Sequence, residues 1–274
     1  MILINGKADD RINVADRGLQ YGDGLFETIA YRNGLAEFID AHLDRMIAGC
    51  QRLAIPFQQL EVLRSELNTV CQQLDDNDAV IKIIVTRGSG GRGYLANNDI
   101  EPTRIISTHP LPQHPESNKT AGICVRFCQH NLSENSVLAG IKHLNRLDQV
   151  LARNEWHQSN IAEGLMSDTH GNMIEGTMSN IFIVKSGQIK TPELTKSGVA
   201  GIMRAQIIRL ASENGLTVEQ GLISKKNILE ADEVFVCNSI IGIWPVNSID
   251  GTNTVFQIGN VTQGLQHALA ESSK

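Results

Sequence analysis

Lys142 ends the apolar run Val137-Leu-Ala-Gly-Ile, a setting in which a lysine is open to covalent chemistry if buried. A lysine beside apolar residues usually lays its stem on them and keeps its amine in water. Burial would instead favour the neutral amine, the form that attacks a carbonyl to give a Schiff base. Glu175 lies in Ile-Glu-Gly-Thr-Met-Ser-Asn-Ile-Phe, between a turn signal and a β-rich run. An exposed hairpin glutamate is the ordinary reading. The chemical reading is a carboxylate that faces a pyridine nitrogen, keeps it protonated and makes the ring an electron sink. Gly201-Ile202-Met203 opens a helical pattern, and the unpaired N–H groups of a first turn suit a phosphate. Asn238-Ser239, at a strand end, offers an amide and a hydroxyl for the same purpose. Arg45 lies beside an apolar helical stripe, where a solvated arginine is the ordinary reading and a bidentate grip on phosphate the sharper one.

Arg87 and Arg92 flank a loop with glycines at 88, 90, 91 and 93. Such a loop folds tightly and brings side chains over a pocket. No Gly-Lys-Ser/Thr follows, so it is not a Walker A motif. No helix pattern opens there, so it is not a Rossmann fingerprint. Two arginines suit a substrate with carboxylates; a solvated turn is the plain alternative.

The elements that must position these groups can be read from periodicity. Met1–Gly6 predicts a short strand, Leu25–Tyr31 another, and Asn33-Gly34 a two-residue hairpin turn into a return strand over 35–38. Asp40 is the expected N-cap of a helix with Leu43, Met46, Ile47, Cys50 and Leu53 on one face. Leu60, Leu63, Leu67, Val70, Cys71 and Leu74 mark a second helix. Ala79–Thr86 and Thr103–Thr108 read as strands, the first a β-branched run typical of a buried one. Pro110, Pro112 and Pro115 interrupt the pattern and predict a linker over 111–120, between domains at 1–110 and 121–274. The second half predicts a strand over 122–129 and a helix over 145–158 with Asn145 and Asp148 as a capping box. Strands and turns then follow through Gly171-Asn172. A helix from Gly201, with Ile202, Ala205, Ile208 and Leu210 inward, closes at Asn214-Gly215 and precedes a strand over 233–237.

Composition narrows the class. A chain of 274 residues with 41% apolar and 20% charged side chains builds a substantial core. A net charge of −6 argues against a nucleic-acid surface. The five cysteines are scattered without metal-ligand spacing, which predicts reduced thiols and no metal. No apolar run reaches a membrane span and no signal-peptide pattern opens the chain, so the expected location is cytoplasmic.

Taken in order, the stretches YGDGLFETI at 21–29, HLDR at 42–45, GIKHLNRLDQVLARNE at 140–155, EGTMSNIF at 175–182 and GIMR at 201–204 resemble one family. It is the branched-chain aminotransferase-like, fold-type-IV pyridoxal-phosphate enzymes, and the resemblance spans essentially the whole chain. It implies an α/β (α+β) fold of two domains, the N-terminal one smaller and the C-terminal one larger and β-rich, with pyridoxal 5'-phosphate between them, in a homodimer. Carried over by position, Lys142 would be the Schiff-base lysine and Glu175 the partner of the pyridine nitrogen. Asn180 would support the cofactor rim. Arg45, the backbone N–H groups of Ile202 and Met203, and Ser239 would hold the phosphate. The chain departs from many relatives in having Met203 rather than threonine, and Asn-Ser rather than two hydroxyls at 238–239.

TRGSGGRGY at 86–94 and LAGIKHLNRLDQVLAR at 138–153 are most similar to members that act as lyases in folate biosynthesis. These release 4-aminobenzoate and pyruvate from 4-amino-4-deoxychorismate. The substrate is then a small dicarboxylate, for which Arg87, Arg92, Tyr94 and Thr28 are the binding candidates. Thr28, Tyr94 and a water stay open as the acid that protonates the leaving group. The alternative in the same family is an aminotransferase for D-amino or branched-chain amino acids.

Overall fold

The computed structural model describes residues 1–97 and 99–272. They form two compact units, Met1–Pro112 with Ile141–Asn145, and Gln113–Gly140 with Arg146–Lys274. The return of 141–145 to the first unit is invisible in a linear reading of the chain. Among the described residues no helix is long and apolar enough to cross a membrane.

The first unit runs β1 (Ile2–Ile4), β2 (Lys7–Ala8), α1 (Arg17–Tyr21), β3 (Gly24–Arg32), β4 (Leu35–Ala36), α2 (Ile39–Arg52), α3 (Leu60–Leu74), β5 (Ala79–Thr86) and β6 (Thr103–Pro110). Its six-stranded sheet has the order β2-β1-β6-β5-β3-β4. β3 and β5 pair antiparallel from Gly24↔Thr86 to Tyr31↔Ala79. Alternation along β3 sends Leu25, Ile29 and Tyr31 to one face, where they pack with Leu43, Met46 and Cys50 of α2 and Leu63, Leu67 and Val70 of α3. Each buried side chain of this size contributes roughly 1.5–3 kcal/mol. Phe26 and Thr28 therefore lie on the opposite face of the strand. The Asn33-Gly34 turn forms as expected, with φ of 50° and 76°, but the return strand covers only Leu35–Ala36. Phe38 then adopts a left-handed conformation and starts α2. Asp40 is thus in the first turn rather than at the N-cap, and its carboxylate pairs with Arg64 at 2.7 Å.

The second unit contains α4 (Ser117–Thr120), β7 (Ile123–Phe127), α5 (Leu147–Arg153), β8 (Ile161–Ser167), β9 (Met173–Gly176), β10 (Asn180–Lys185), β11 (Gln188–Pro192), α6 (Ile202–Glu213), β12 (Val218–Gly221), α7 (Lys225–Leu229), β13 (Glu233–Asn238), β14 (Gly242–Ile249) and α8 (Asn260–Ser272). Its strand order is β12-β11-β10-β13-β14-β7-β8-β9, and β9 pairs again with β10 through Glu175↔Asn180. The strands from β10 round to β9 therefore close on themselves about a core that includes Val125, Leu165, Ile181, Val236 and Trp244.

Several local expectations are corrected here. Ser117–Thr120, within the expected linker, is a short helix of the second unit. α5 is shorter than expected and has no side-chain cap: Asn145 donates instead to Gly22 O, and Asp148 binds Ser133 N and His130. The inward face of α6 is Ile202, Met203, Ile207, Leu210 and Ala211, so Ala205 is exposed.

Candidate active site

In the first unit, residues 141–145 lie antiparallel to the start of β3. Phe26 N donates to Lys142 O and Leu144 N to Gly24 O, both at 3.0 Å. Ile141 enters the core against Leu25, close to Gly49, where a Cβ would meet both side chains. Its neighbour Lys142 turns the other way, with Nζ 4.3 Å from the centroid of the Phe26 ring. The side chain is half-buried and its amine sits on an aromatic face. Thr28, two residues along β3, shares that strand face.

Glu27 occupies a core position of β3, only 1% exposed, and α2 supplies its partners. His42 Nδ1 lies 2.6 Å from Oε2, and Arg45 Nε donates to Oε1 at 2.8 Å. Burial alone would raise the Glu27 carboxyl, but the hydrogen bonds of His42 and Arg45 and the arginine's charge hold it below the usual range. Burial pushes His42 down, against the pull of Glu27 and with help from the charges of Arg45 and Lys142. The trio is therefore an ionised Glu27, a cationic Arg45 and a neutral His42. A carboxylate only accepts, so the imidazole proton is assigned to Nδ1. That leaves Nε2 a buried acceptor without a hydrogen-bond partner among the described residues. Arg45 is thereby held in place, its side chain mostly buried at 14% exposure.

The glycine loop divides its arginines. Arg87 donates to Asp23 at 2.7 and 3.1 Å and to the carbonyls of Ala54 and Leu53, both at 2.7 Å. These bonds tie its guanidinium to the fold. Burial would raise Asp23, but hydrogen bonds from Arg87 and Arg17 keep it low. Arg92 is exposed, and Tyr94 is 89% exposed with its ring edge-on to Tyr21.

In the second unit Glu175 is buried on β9, with Oε2 accepting from Val199 N at 2.7 Å and Oε1 from Gln149 Nε2 at 3.1 Å. Arg146, one helical turn before Gln149, is pushed down by burial and pulled back up by the charges of Glu175 and Asp148. Asn180, paired with Glu175 across the strands, donates to Val199 O at 2.9 Å. The segment leading into α6 is thus tied to both residues. Gly201 is the N-cap, and a Cβ there would come within 2.1 Å of Asn180 Oδ1, so a side chain at 201 would have to displace the Asn180 amide. No side chain caps α6 among the described residues, which leaves the Ile202 and Met203 amides at a positive helix end. Ser239 is in the turn after β13, just beyond Cys237, the strand partner of Asn180. Asn238 donates to Met178 O and accepts from Ile240 N and Ile241 N.

These features fit a phosphate-bearing pyridine. An uncapped helix N-terminus with a glycine cap and a nearby hydroxyl suits the phosphate. A buried carboxylate oriented by two neutral donors suits a protonated ring nitrogen. Sequence reasoning did not single out Glu27 and His42, because the spacing of His42 and Arg45 on α2 only gains meaning beside Glu27 on β3. It also missed Gln149, Val199 and Arg146, whose link to Glu175 is long-range.

The chain matches the model of the amino-transferase class IV family over residues 24–249. It is similar to the crystal structure of 4-amino-4-deoxychorismate lyase from Pseudomonas aeruginosa, with a TM-score of 0.94 and 44% identity over 99% of this chain and 98% of that one. It is 36% identical to aminodeoxychorismate lyase of Vibrio harveyi over 97% of this chain and 98% of the relative. To D-alanine aminotransferase of Bacillus licheniformis it is 30% identical over 99% and 96%.

Proposed function

The chain belongs to the amino-transferase class IV family, and from that premise we propose that it is a lyase converting 4-amino-4-deoxychorismate to 4-aminobenzoate and pyruvate. Its cofactor is pyridoxal 5'-phosphate. The observation that carries the reading is likeness over nearly the whole chain to two enzymes named for this substrate.

When bound, the cofactor supplies a ring that accepts the electron pair left as a C–H bond at the amine-bearing carbon breaks. Lys142 would hold the cofactor's aldehyde through Nζ, and its free amine would take the proton from that carbon. The Phe26 ring beneath Nζ limits where the amine can point. Glu175 keeps a proton on the pyridine nitrogen, its oxygens aimed by Gln149 and Val199 and the adjoining rim set by Asn180. Arg45, oriented by Glu27, binds phosphate together with the Ile202 and Met203 amides and Ser239. Arg92 and Tyr94 meet the substrate carboxylates. Thr28, on the strand face of Phe26, is the hydroxyl we assign to protonating the departing enolpyruvate. Aromatisation of the remaining ring drives the step forward.

The chain works as a homodimer in the cytoplasm on this reading. Leu147, Val150 and Leu151 form an exposed apolar stripe on α5, 74%, 50% and 53% exposed, of the kind a second copy covers. The cysteines are all free, as suits a reducing compartment.

The test offers aminodeoxychorismate and, separately, D-alanine or leucine with a keto acid to the purified protein. Formation of 4-aminobenzoate with equimolar pyruvate, lost in Lys142→Ala, is expected. Faster keto-acid exchange than aminobenzoate release would favour the aminotransferase reading, which the D-alanine aminotransferase likeness keeps in view.

A further inference from the structure

Arg17 is a charged residue only 3% exposed, on a five-residue helix far from Lys142 in sequence. Its guanidinium reaches three acceptors. Nε donates to Asp23 Oδ2 at 3.0 Å, Nη1 to Gly93 O at 3.0 Å and Nη2 to Tyr94 O at 2.8 Å. Its backbone N–H also donates to Gly88 O at 2.9 Å. One residue thus grips the glycine loop at both ends. Asp23 completes the clasp by binding Arg87 at the loop's first position. At Gly88 the backbone passes so close to Glu101 that a Cβ would lie 1.9 Å from its carbonyl, with φ at +103°. The loop's backbone is therefore pinned at Gly88 and at Gly93–Tyr94, while the side chains it carries stay open: Arg92 is exposed, and Tyr94 is 89% exposed. Fixing a loop's backbone lowers the ordering cost of any ligand that binds its side chains.

We propose that Arg17 is a positioning residue for substrate recognition, holding the Gly93–Tyr94 backbone so that Arg92 and Tyr94 are presented to a dicarboxylate. This rests on the reading that Arg92 and Tyr94 meet the substrate. On this reading Arg17 acts on neither substrate nor cofactor directly but through two carbonyls and a carboxylate. Lysine retains the charge toward Asp23 but cannot bond three acceptors in one plane, and glutamine loses both.

The experiment compares the holoenzyme with its Arg17→Gln and Arg17→Lys variants. In Arg17→Gln, KM for aminodeoxychorismate should rise about tenfold, the loss of one or two charge-assisted hydrogen bonds from an ordered loop. The turnover number and the visible absorbance of the bound cofactor should stay near the wild-type values. Limited trypsin digestion, followed by mass mapping, should cut faster after Arg92, with Arg17→Lys intermediate in both readouts. Wild-type rates of cutting in both variants would overturn the clasp. Faster cutting with an unchanged KM would overturn its role in recognition. A lost cofactor spectrum with an unchanged KM would assign Arg17 to the cofactor instead, and overturn it too. The proteolysis arm needs no substrate, so failure of the lyase reading itself shows separately, as wild-type enzyme that makes no 4-aminobenzoate. If Arg17→Gln does not fold, Arg17→Lys carries the same tests.

Discussion

Buried carboxylates are held differently in the two units. In the first, Glu27 meets Arg45 at 2.8 Å and Glu66 meets Arg104 at 2.7 Å. In the second, Glu163 accepts from Gly164 N, Thr177 N and Oγ1, Met178 N and Ser179 Oγ at 2.6–3.2 Å. Glu233 likewise accepts from Val261 N, Thr262 N and Thr262 Oγ1 at 2.6–3.2 Å. Asp16 is the first unit's exception, held by Gly18 N and the hydroxyls of Thr86 and Thr103. An ion pair sets the direction of a cation, as at Arg45 and Arg104. A cradle of neutral dipoles sets the path of a loop, and the Glu163 cradle fixes the turn that joins Glu175 to Asn180.

Removing a charge from each arrangement should separate them. Glu27→Gln leaves Arg45 mostly buried without its carboxylate and should cost about 3–5 kcal/mol in urea unfolding, with loss of cofactor affinity. The paired change Glu27→Leu with Arg45→Met should restore most of that stability but not the cofactor binding. A loss below about 1 kcal/mol for Glu27→Gln would mean the pair is not what holds α2 to β3.

Glu163→Gln should cost less, about 1–3 kcal/mol. The amide must place a donor where backbone N–H groups already point, though the Thr177 and Ser179 hydroxyls can turn to accept. Its functional mark should fall on Glu175, as a shifted pH dependence of the cofactor's visible absorbance. An unchanged spectrum would confine Glu163 to stability.

The smallest effect is that of acid. An unfolded histidine titrates near about 6.5, and burial lowers His42 below that in the fold. As pH falls, the unfolded chain takes the proton first, so stability is full above about pH 6.5 and declines below it. Glu27, depressed in the fold, adds a further loss only as pH falls through the ordinary carboxyl range near about 4.3. His42→Asn keeps a donor for Glu27 without titrating and should flatten the decline between about pH 6.5 and 5. His114 of the second unit, also lowered by burial, leaves a residual slope. A wild-type slope in His42→Asn would contradict the neutral state assigned to His42.

Local pattern carried much of this architecture. The β-branched run at 79–86 is β5, and the Asn33-Gly34 turn forms where expected, because strand composition and turn chemistry are short-range. β14 was missed because Pro245 lies inside it, against the usual exclusion of proline from paired strands. α8 was missed because Gly264 and scattered polar residues dilute its stripe. The candidate site was legible as residue types along the chain: Lys142, Glu175, Arg45 and the start of α6 all stand in settings that suit their expected roles. What holds them was not legible. Glu27 with Arg45, Val199 with Glu175, Arg17 with Tyr94, and Arg87 with Asp23 are contacts between distant positions.

Reductive trapping tests the assignment of Lys142 most directly. Borohydride treatment of the protein with bound pyridoxal phosphate, then proteolysis and mass mapping, should place the pyridoxyl group on Lys142 alone. Lys82 is the built-in comparison, since its ammonium lies 5.6 Å from the same Phe26 ring. Label on Lys82, or on no lysine at all, would contradict the account.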